Sequence, residues 1–179
     1  MTVNSFHITQ ITPDQLSVLR EISIQTFLDT YGWGNSQENI DAHITATFSE
    51  VQLLKELNDP NCLFYFISKN QTHVGYLKCN LGPAQTELND INSLEIERIY
   101  VIKEFHGQKI GVRLLEKAKE VAIDLALTYI WLGVWEQNPK AIRFYQRNGY
   151  ETFGTHTFTV GGEAQNDLLM KLDVNDKAK

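Results

Sequence analysis

Between Leu94 and Tyr150 the hydrophobic period of the chain switches back and forth, and that switching restricts the fold more than any other stretch. LEIERIYV reads as a strand, EFHGQKIG as a glycine-bearing turn, and about Gly111 to Leu127 as an amphipathic helix. Tyr129 to Trp135 is a second strand, and Pro139 to Asn148 is a second helix that Gly149 ends. Strand, helix, strand in this order permits a parallel pair joined by a helical crossover. The amides that open the first helix have no carbonyl partners of their own, so the turn before it suits an anionic, nucleotide-like ligand.

The flanking segments supply the rest of one α/β domain. Phe6 to Ile11 is a candidate strand, and Thr12, Pro13 and Gln15 form a capping box ahead of a helix that runs to about Leu28. Gly32 and Gly34 break it. A second helix spans about Gln37 to Phe48, and Ser49 with Gln52 caps a third that ends near Asn58. Leu63 to Ser68 and Val74 to Asn80 flank turn formers and read as a hairpin, followed by a loop from Leu81 to Asn92. Tyr150 to Val160 and Asp167 to Val174 are expected to form a terminal antiparallel hairpin. The domain is placed at residues 1–174, with a polar tail at 175–179.

At 179 residues the chain is long enough to bury a core without disulfides or metal. Its net charge of −6 argues against nonspecific nucleic-acid binding and favours the approach of a small cation. Cys62 and Cys79 sit in apolar, strand-like segments with no zinc-type spacing, so the expectation is two reduced thiols and no metal site. Neither a signal-type N-terminus nor a run long enough to span a membrane is visible, and a cytoplasmic protein is expected.

The segment resembles the core of the GCN5-related N-acetyltransferases (GNAT). SLEIERIYV, IWLGVWEQN, AIRFYQRNGY, GTHTF and QNDLLM are similar to bacterial polyamine N-acetyltransferases of the Pai type, over about Thr12 to Leu172. The resemblance implies the GNAT fold: a mixed, mostly antiparallel sheet with a splayed parallel strand pair and helices on both faces. It also implies acetyl-CoA as cosubstrate, a small-molecule amine acceptor and, at the family level, a homodimer. The family's phosphate loop has Gln or Arg, two residues, Gly, one residue, then Gly or Ala. Here His106, Gly107, Gln108, Lys109, Ile110 and Gly111 fill the six positions, so His stands first and Lys replaces the middle glycine. Val112 follows as the next residue of the helix. In the family, pantetheine pairs with the backbone of the strand that here carries Ile99, Tyr100 and Val101.

Acetyl transfer to an amine needs an uncharged nitrogen, a stabilised oxyanion and a proton for the departing thiolate. Tyr145 matches the family's proton donor, and a phenol with a pKa of about 10 carries the needed proton at neutral pH. Its alternative is packing beside Phe144. Asn138 fits both a helix cap and a cofactor contact. It lies seven residues before Tyr145, about two helical turns. Glu97, in a strand expected to be central, matches a glutamate that related polyamine acetyltransferases use as a base; a structural ion pair explains it equally. Strand alternation groups Glu97 with Glu95 and sets Arg98 opposite. For the acceptor, Asp29, Glu38 and Asp41 with Tyr31 and Trp33 combine carboxylates and aromatic rings suited to a linear polycation, or form an acidic solvated loop. The expected reaction is acetylation of spermidine or spermine by direct transfer in a ternary complex. Its rivals are another amine acceptor (an amino acid, an antibiotic or a protein N-terminus) and a non-catalytic acetyl-CoA sensor.

Overall fold

β1 (Phe6–Gln10) leads to Thr12, whose N–H donates to the Gln15 side chain at 3.2 Å across a 3-10 turn, Pro13–Gln15. That capped turn feeds α1 (Leu16–Tyr31), which runs three residues beyond the expected end at Leu28. The computed structural model describes residues 5–32, 36–160 and 163–174. α2 (Gln37–Thr47) and α3 (Glu50–Leu57) are each opened by a serine hydroxyl, Ser36 accepting from Asn39 N–H and Ser49 from Gln52 N–H. These caps satisfy amides that would otherwise lack partners.

β2 (Cys62–Lys69) and β3 (Thr72–Leu81) meet at Asn70 and Gln71, whose φ angles of 49° and 69° belong to a two-residue turn matched to strand twist. β4 (Ser93–Val101), α4 (Ile110–Asp124), β5 (Tyr129–Trp135) and α5 (Pro139–Arg147) follow in the expected alternation. The chain closes with β6 (Glu151–Val160) and β7 (Glu163–Asp173). β7 starts before the expected Asp167 because its pairing with β6 continues through polar residues to Val160↔Glu163, where no apolar alternation marks a strand.

The seven strands hydrogen-bond in the order β1-β2-β3-β4-β5-β7-β6. β4 and β5 run parallel, whereas β1 with β2, β5 with β7 and β6 with β7 run antiparallel. The parallel register covers three pairs, from Ser93↔Tyr129 to Glu95↔Trp131, although β4 is nine residues long and β5 seven.

Two compact units emerge: Met1–Cys79 with Arg98–Leu115, and Asn80–Glu97 with Glu116–Lys179. The core of the first gathers Leu19, Ile22, Phe27, Phe48, Leu53, Phe66 and Tyr76. Inside it Glu56 of α3 receives a two-pronged contact from Arg98 (3.1 and 3.2 Å) and an ion pair from Lys78 at 3.0 Å. All three side chains are nearly buried, so each charge depends on its partners for compensation. Gly75 of β3 is a packing requirement of a different kind. A Cβ there would lie 2.5 Å from the Tyr100 carbonyl oxygen and 3.2 Å from Val101 Cα, so only glycine admits the β4 backbone at this distance.

The second unit is built on Leu94, Ile130, Leu132, Val134, Tyr150, Leu169 and Met170, all buried. Its loop after β3 is ordered by Gln85, whose buried amide donates to the carbonyls of Asp90 (3.1 Å) and Ser93 (2.9 Å) and accepts from Asp90 N–H. Tyr129 hydroxyl donates to Asp90 at 2.6 Å and ties the same loop to the start of β5.

Removing one member of a buried ion group leaves an uncompensated charge, so Glu56→Gln is expected to destabilise the protein by about 3–5 kcal/mol in urea or thermal unfolding. A loss below about 1 kcal/mol would mean that Lys78 and Arg98 are satisfied without Glu56.

Candidate active site

In the first unit the turn between β4 and α4 is shaped by two left-handed residues, Gly107 at φ 78° and Lys109 at φ 59°. The lysine therefore adopts the backbone conformation for which glycine is suited. His106 Nε2 donates to the Val101 carbonyl oxygen at 2.8 Å, which pins the two ends of the turn together. Lys69 of β2 donates to Gln108 Oε1 at 2.7 Å and steadies the middle. His106, Gly107, Gln108 and Lys109 are exposed, Ile110 is buried as the first residue of α4, and Gly111 and Val112 are half-buried. The opening amides of a 15-residue helix, the two left-handed residues of the turn before it and two nearby lysines are a donor set suited to a pyrophosphate. Ile99, Tyr100 and Val101 are half-buried, and Tyr100 stacks on Tyr76 at 5.8 Å.

In the second unit Glu95 and Glu97 lie together, as strand alternation requires, and Asn80 joins them. The Asn80 amide donates to Glu95 Oε2 at 3.0 Å and to Glu97 Oε2 at 2.6 Å. Thr86 adds two more donors to Glu95, its N–H to Oε2 at 2.9 Å and its hydroxyl to Oε1. Burial pushes the Glu95 carboxyl above its usual range, the Thr86 and Asn80 hydrogen bonds pull the other way, and the charge of Glu97 adds to the rise. Glu97 is half-buried, whereas Glu95 is 2 % exposed.

The same unit holds α5. Asn138 Oδ1 accepts from Ala141 N–H at 3.1 Å, so the helix cap expected of it is formed, with Pro139 next in the chain. Tyr145 is nearly buried, its ring edge-on to Phe144 at 5.3 Å and to Tyr150 at 5.8 Å. Beside Trp131 and Trp135, Gly133 is the one exposed position in β5. A Cβ on Gly133 would lie 3.5 Å from Asp167 Oδ2. Across β7 and β6, Asp167 is in register with His156, which pairs with Glu87 at 2.5 Å. Burial and the Glu87 charge raise the Asp167 carboxyl, and His156 opposes them.

Comparison with known proteins identifies the chain, since the Acetyltransferase (GNAT) family matches residues 22–150. The chain belongs to the GNAT family. It is an N-acetyltransferase. An uncharacterised N-acetyltransferase of Lactobacillus delbrueckii subsp. lactis is 38% identical over 92% of this chain and 95% of that protein. A spermidine N(1)-acetyltransferase of Thermoplasma acidophilum is 25% identical over 84% of this chain and 91% of its own. Among solved structures, the PaiA N-acetyltransferase of Thermoplasma acidophilum in complex with coenzyme A superposes with a TM-score of 0.77, at 24% identity, covering 94% of this chain and 99% of that one. This likeness bears out the GNAT fold expected from the sequence.

The acceptor residues expected in this GNAT protein have varied surroundings. Tyr31 is half-buried and packs against Phe27 at 5.3 Å, in a cluster where His43 stacks on Phe27 at 4.2 Å. Asp29 and Glu38 are exposed, and exposed Asp41 accepts from Gln37 at 2.8 Å. Trp33 lies outside the described residues. Sequence reasoning missed Asn80 and Thr86, which complete the carboxylate network. Asn80 had one available signal, an amide side chain at the end of a largely apolar strand; Thr86 had none, because its contact with Glu95 depends on the loop fold.

Left-handed backbone costs a non-glycine residue about 1–2 kcal/mol. Glycine's greater freedom in the unfolded chain takes back part of this, so Lys109→Gly is expected to raise the melting temperature by about 2–4 °C. A lower melting temperature in differential scanning calorimetry would mean that the lysine side chain contributes more than its backbone costs.

Proposed function

We propose that this GNAT protein transfers the acetyl group of acetyl-CoA directly to a primary amine of a linear polyamine such as spermidine or spermine. The observation that carries this reading is the carboxylate pair Glu95 and Glu97, held in a largely buried network by Asn80 and Thr86. Two carboxylates in one small volume favour a cationic guest, and a polyamine brings ammonium groups to such a site. The name of the Thermoplasma spermidine acetyltransferase relative and the coenzyme A complex of PaiA support the choice of acceptor and donor.

Acetyl-CoA supplies a thioester carbonyl that an uncharged amine attacks, with release of a thiolate. Glu97 takes one proton from the arriving ammonium, directly or through water, and so frees the nitrogen lone pair. The attacking nitrogen sheds its second proton to solvent as the amide forms, and Tyr145 gives its phenolic proton to the departing sulfur. The phenolate recovers a proton from solvent and Glu97 releases its own before the next turnover. The amides of Gln108 to Gly111, with Lys109 and His106 in the same loop, hold the pyrophosphate. Ile99, Tyr100 and Val101 offer backbone groups to pantetheine, and the Asn138 amide nitrogen offers it a donor while the Oδ1 atom caps α5. Val112 and Ile110 set the first turn of α4 behind the phosphates. Asp29, Tyr31, Trp33 and Glu38 are the proposed acceptor residues by type, carboxylates and aromatic rings being suited to ammonium groups. Direct transfer fits the burial of Cys79 in β3, which leaves that thiol no access to a thioester.

Release of the CoA thiol, measured with spermidine, spermine, monoamines, amino acids and peptides, tests this assignment. Polyamines are expected to give the highest kcat/KM; higher turnover with an amino acid or peptide would reassign the acceptor, and acetyl-CoA binding without turnover would reassign the protein as a sensor. Tyr145→Phe and Glu97→Gln are each expected to lower kcat by about 100-fold or more while acetyl-CoA affinity holds. Undiminished turnover in either variant removes that residue from its role.

Gly75→Ala provides a check on the pantetheine contact. A methyl pressed against Tyr100 and Val101 must shift the β4 backbone. Weaker acetyl-CoA binding by isothermal titration calorimetry is expected, together with a destabilisation of about 1–3 kcal/mol. A destabilised variant with unchanged affinity would place pantetheine elsewhere.

A further inference from the structure

Asn80 is 0 % exposed, and its amide nitrogen serves two carboxylates, Glu95 Oε2 at 3.0 Å and Glu97 Oε2 at 2.6 Å. Its own carbonyl oxygen is buried and accepts no hydrogen bond among the described residues. A buried acceptor left in that state is costly. The amide holds this orientation because the reverse one would set its oxygen against two carboxylates, a worse arrangement than one unsatisfied atom. What fixes Asn80 is therefore the acidic pair.

The two carboxylates are not equivalent. Glu95 accepts from Thr86 N–H, from Thr86 hydroxyl and from Asn80, so its position is determined from three directions. Thr86 is itself placed by the loop that the neighbouring Gln85 ties to Asp90 and Ser93. Glu97 is the more accessible member. Asn80 connects the anchored carboxylate to the accessible one.

We propose that Asn80 is a positioning residue for acetyl transfer: it links Glu97 to the Glu95–Thr86 anchor and holds its carboxylate in one orientation toward the acceptor's ammonium group. The inference rests on the reading of Glu97 as the base. An N–H donor to a carboxylate also favours the ionised form over the protonated one, so Asn80 keeps Glu97 ready to accept a proton. The charged group facing Glu97 through this link is Glu95, and Asn80 places an amide nitrogen between the two like charges.

Asn80→Leu keeps the volume and removes both donors. It is expected to lower kcat by about 10–100-fold, the effect of a misplaced reacting group. The acid limb of the kcat–pH profile should move to higher pH, with acetyl-CoA affinity within about twofold of the parent. Asn80→Asp, which sets a third carboxylate against the pair, should move the limb further in the same direction. If leucine prevents folding, Asn80→Ser carries the same measurement. An unchanged kcat, or a loss of kcat with the acid limb unmoved, overturns the proposal, the second outcome being that of a purely structural residue. Glu97→Gln separates the two levels. Full activity in that variant ends the base reading and this inference with it; an inactive Glu97→Gln beside a fully active Asn80→Leu ends this inference alone.

Discussion

Three ionisable side chains on one interior strand, Glu95, Glu97 and Arg98, impose the constraint that the surrounding structure answers. A charge taken out of water is tolerated only when its partners are placed well enough to replace the lost hydration. In the first unit α3 supplies Glu56 to Arg98 and Lys78. In the second, Asn80 and Thr86 supply neutral donors to the two glutamates. The two solutions differ in chemistry because the problems differ. The two cations share one carboxylate of opposite charge, whereas the adjacent carboxylates receive neutral N–H and O–H donors.

That difference has a functional side. In the Arg98 group both terminal guanidinium nitrogens donate to one carboxylate that Lys78 also contacts, an arrangement that fits a structural role. The Glu95–Glu97 group meets neutral donors in Asn80 and Thr86 and keeps one of its carboxylates half-buried. Under the proposed function such a site would draw in ammonium groups and accept a proton, the two requirements an amine acceptor places on a base. The phosphate loop shows a comparable compromise. Lys109 occupies a glycine position at some conformational cost, yet adds a cation where an anionic ligand would lie.

Much of the fold is legible in the residues themselves. The alternation from Leu94 to Tyr150 implies β4, α4, β5 and α5, the serine caps mark α2 and α3, and Asn138 is expected to cap α5, as it does. The pairing of Glu95 with Glu97 follows from strand periodicity alone. Less visible are elements whose definition depends on partners far along the chain. β7 begins at polar Glu163 because β6 pairs with it, and α1 passes Leu28 because helix hydrogen bonding, not an apolar stripe, sets its end.

Family membership, the strand and helix order and the residue types of the loop follow from sequence alone, since each is carried by local periodicity or by short motifs. Tertiary packing decided which partners meet the charges of β4: Glu56 lies 42 positions from Arg98, and Asn80 lies 17 from Glu97. It also decided that Lys109 takes the left-handed conformation and that Gly75 must lack a side chain against Tyr100. The physical reason is common to these cases. Local pattern records how a segment prefers to fold and which of its sides is apolar, whereas a buried polar atom finds its hydrogen-bond partner only when distant segments have packed.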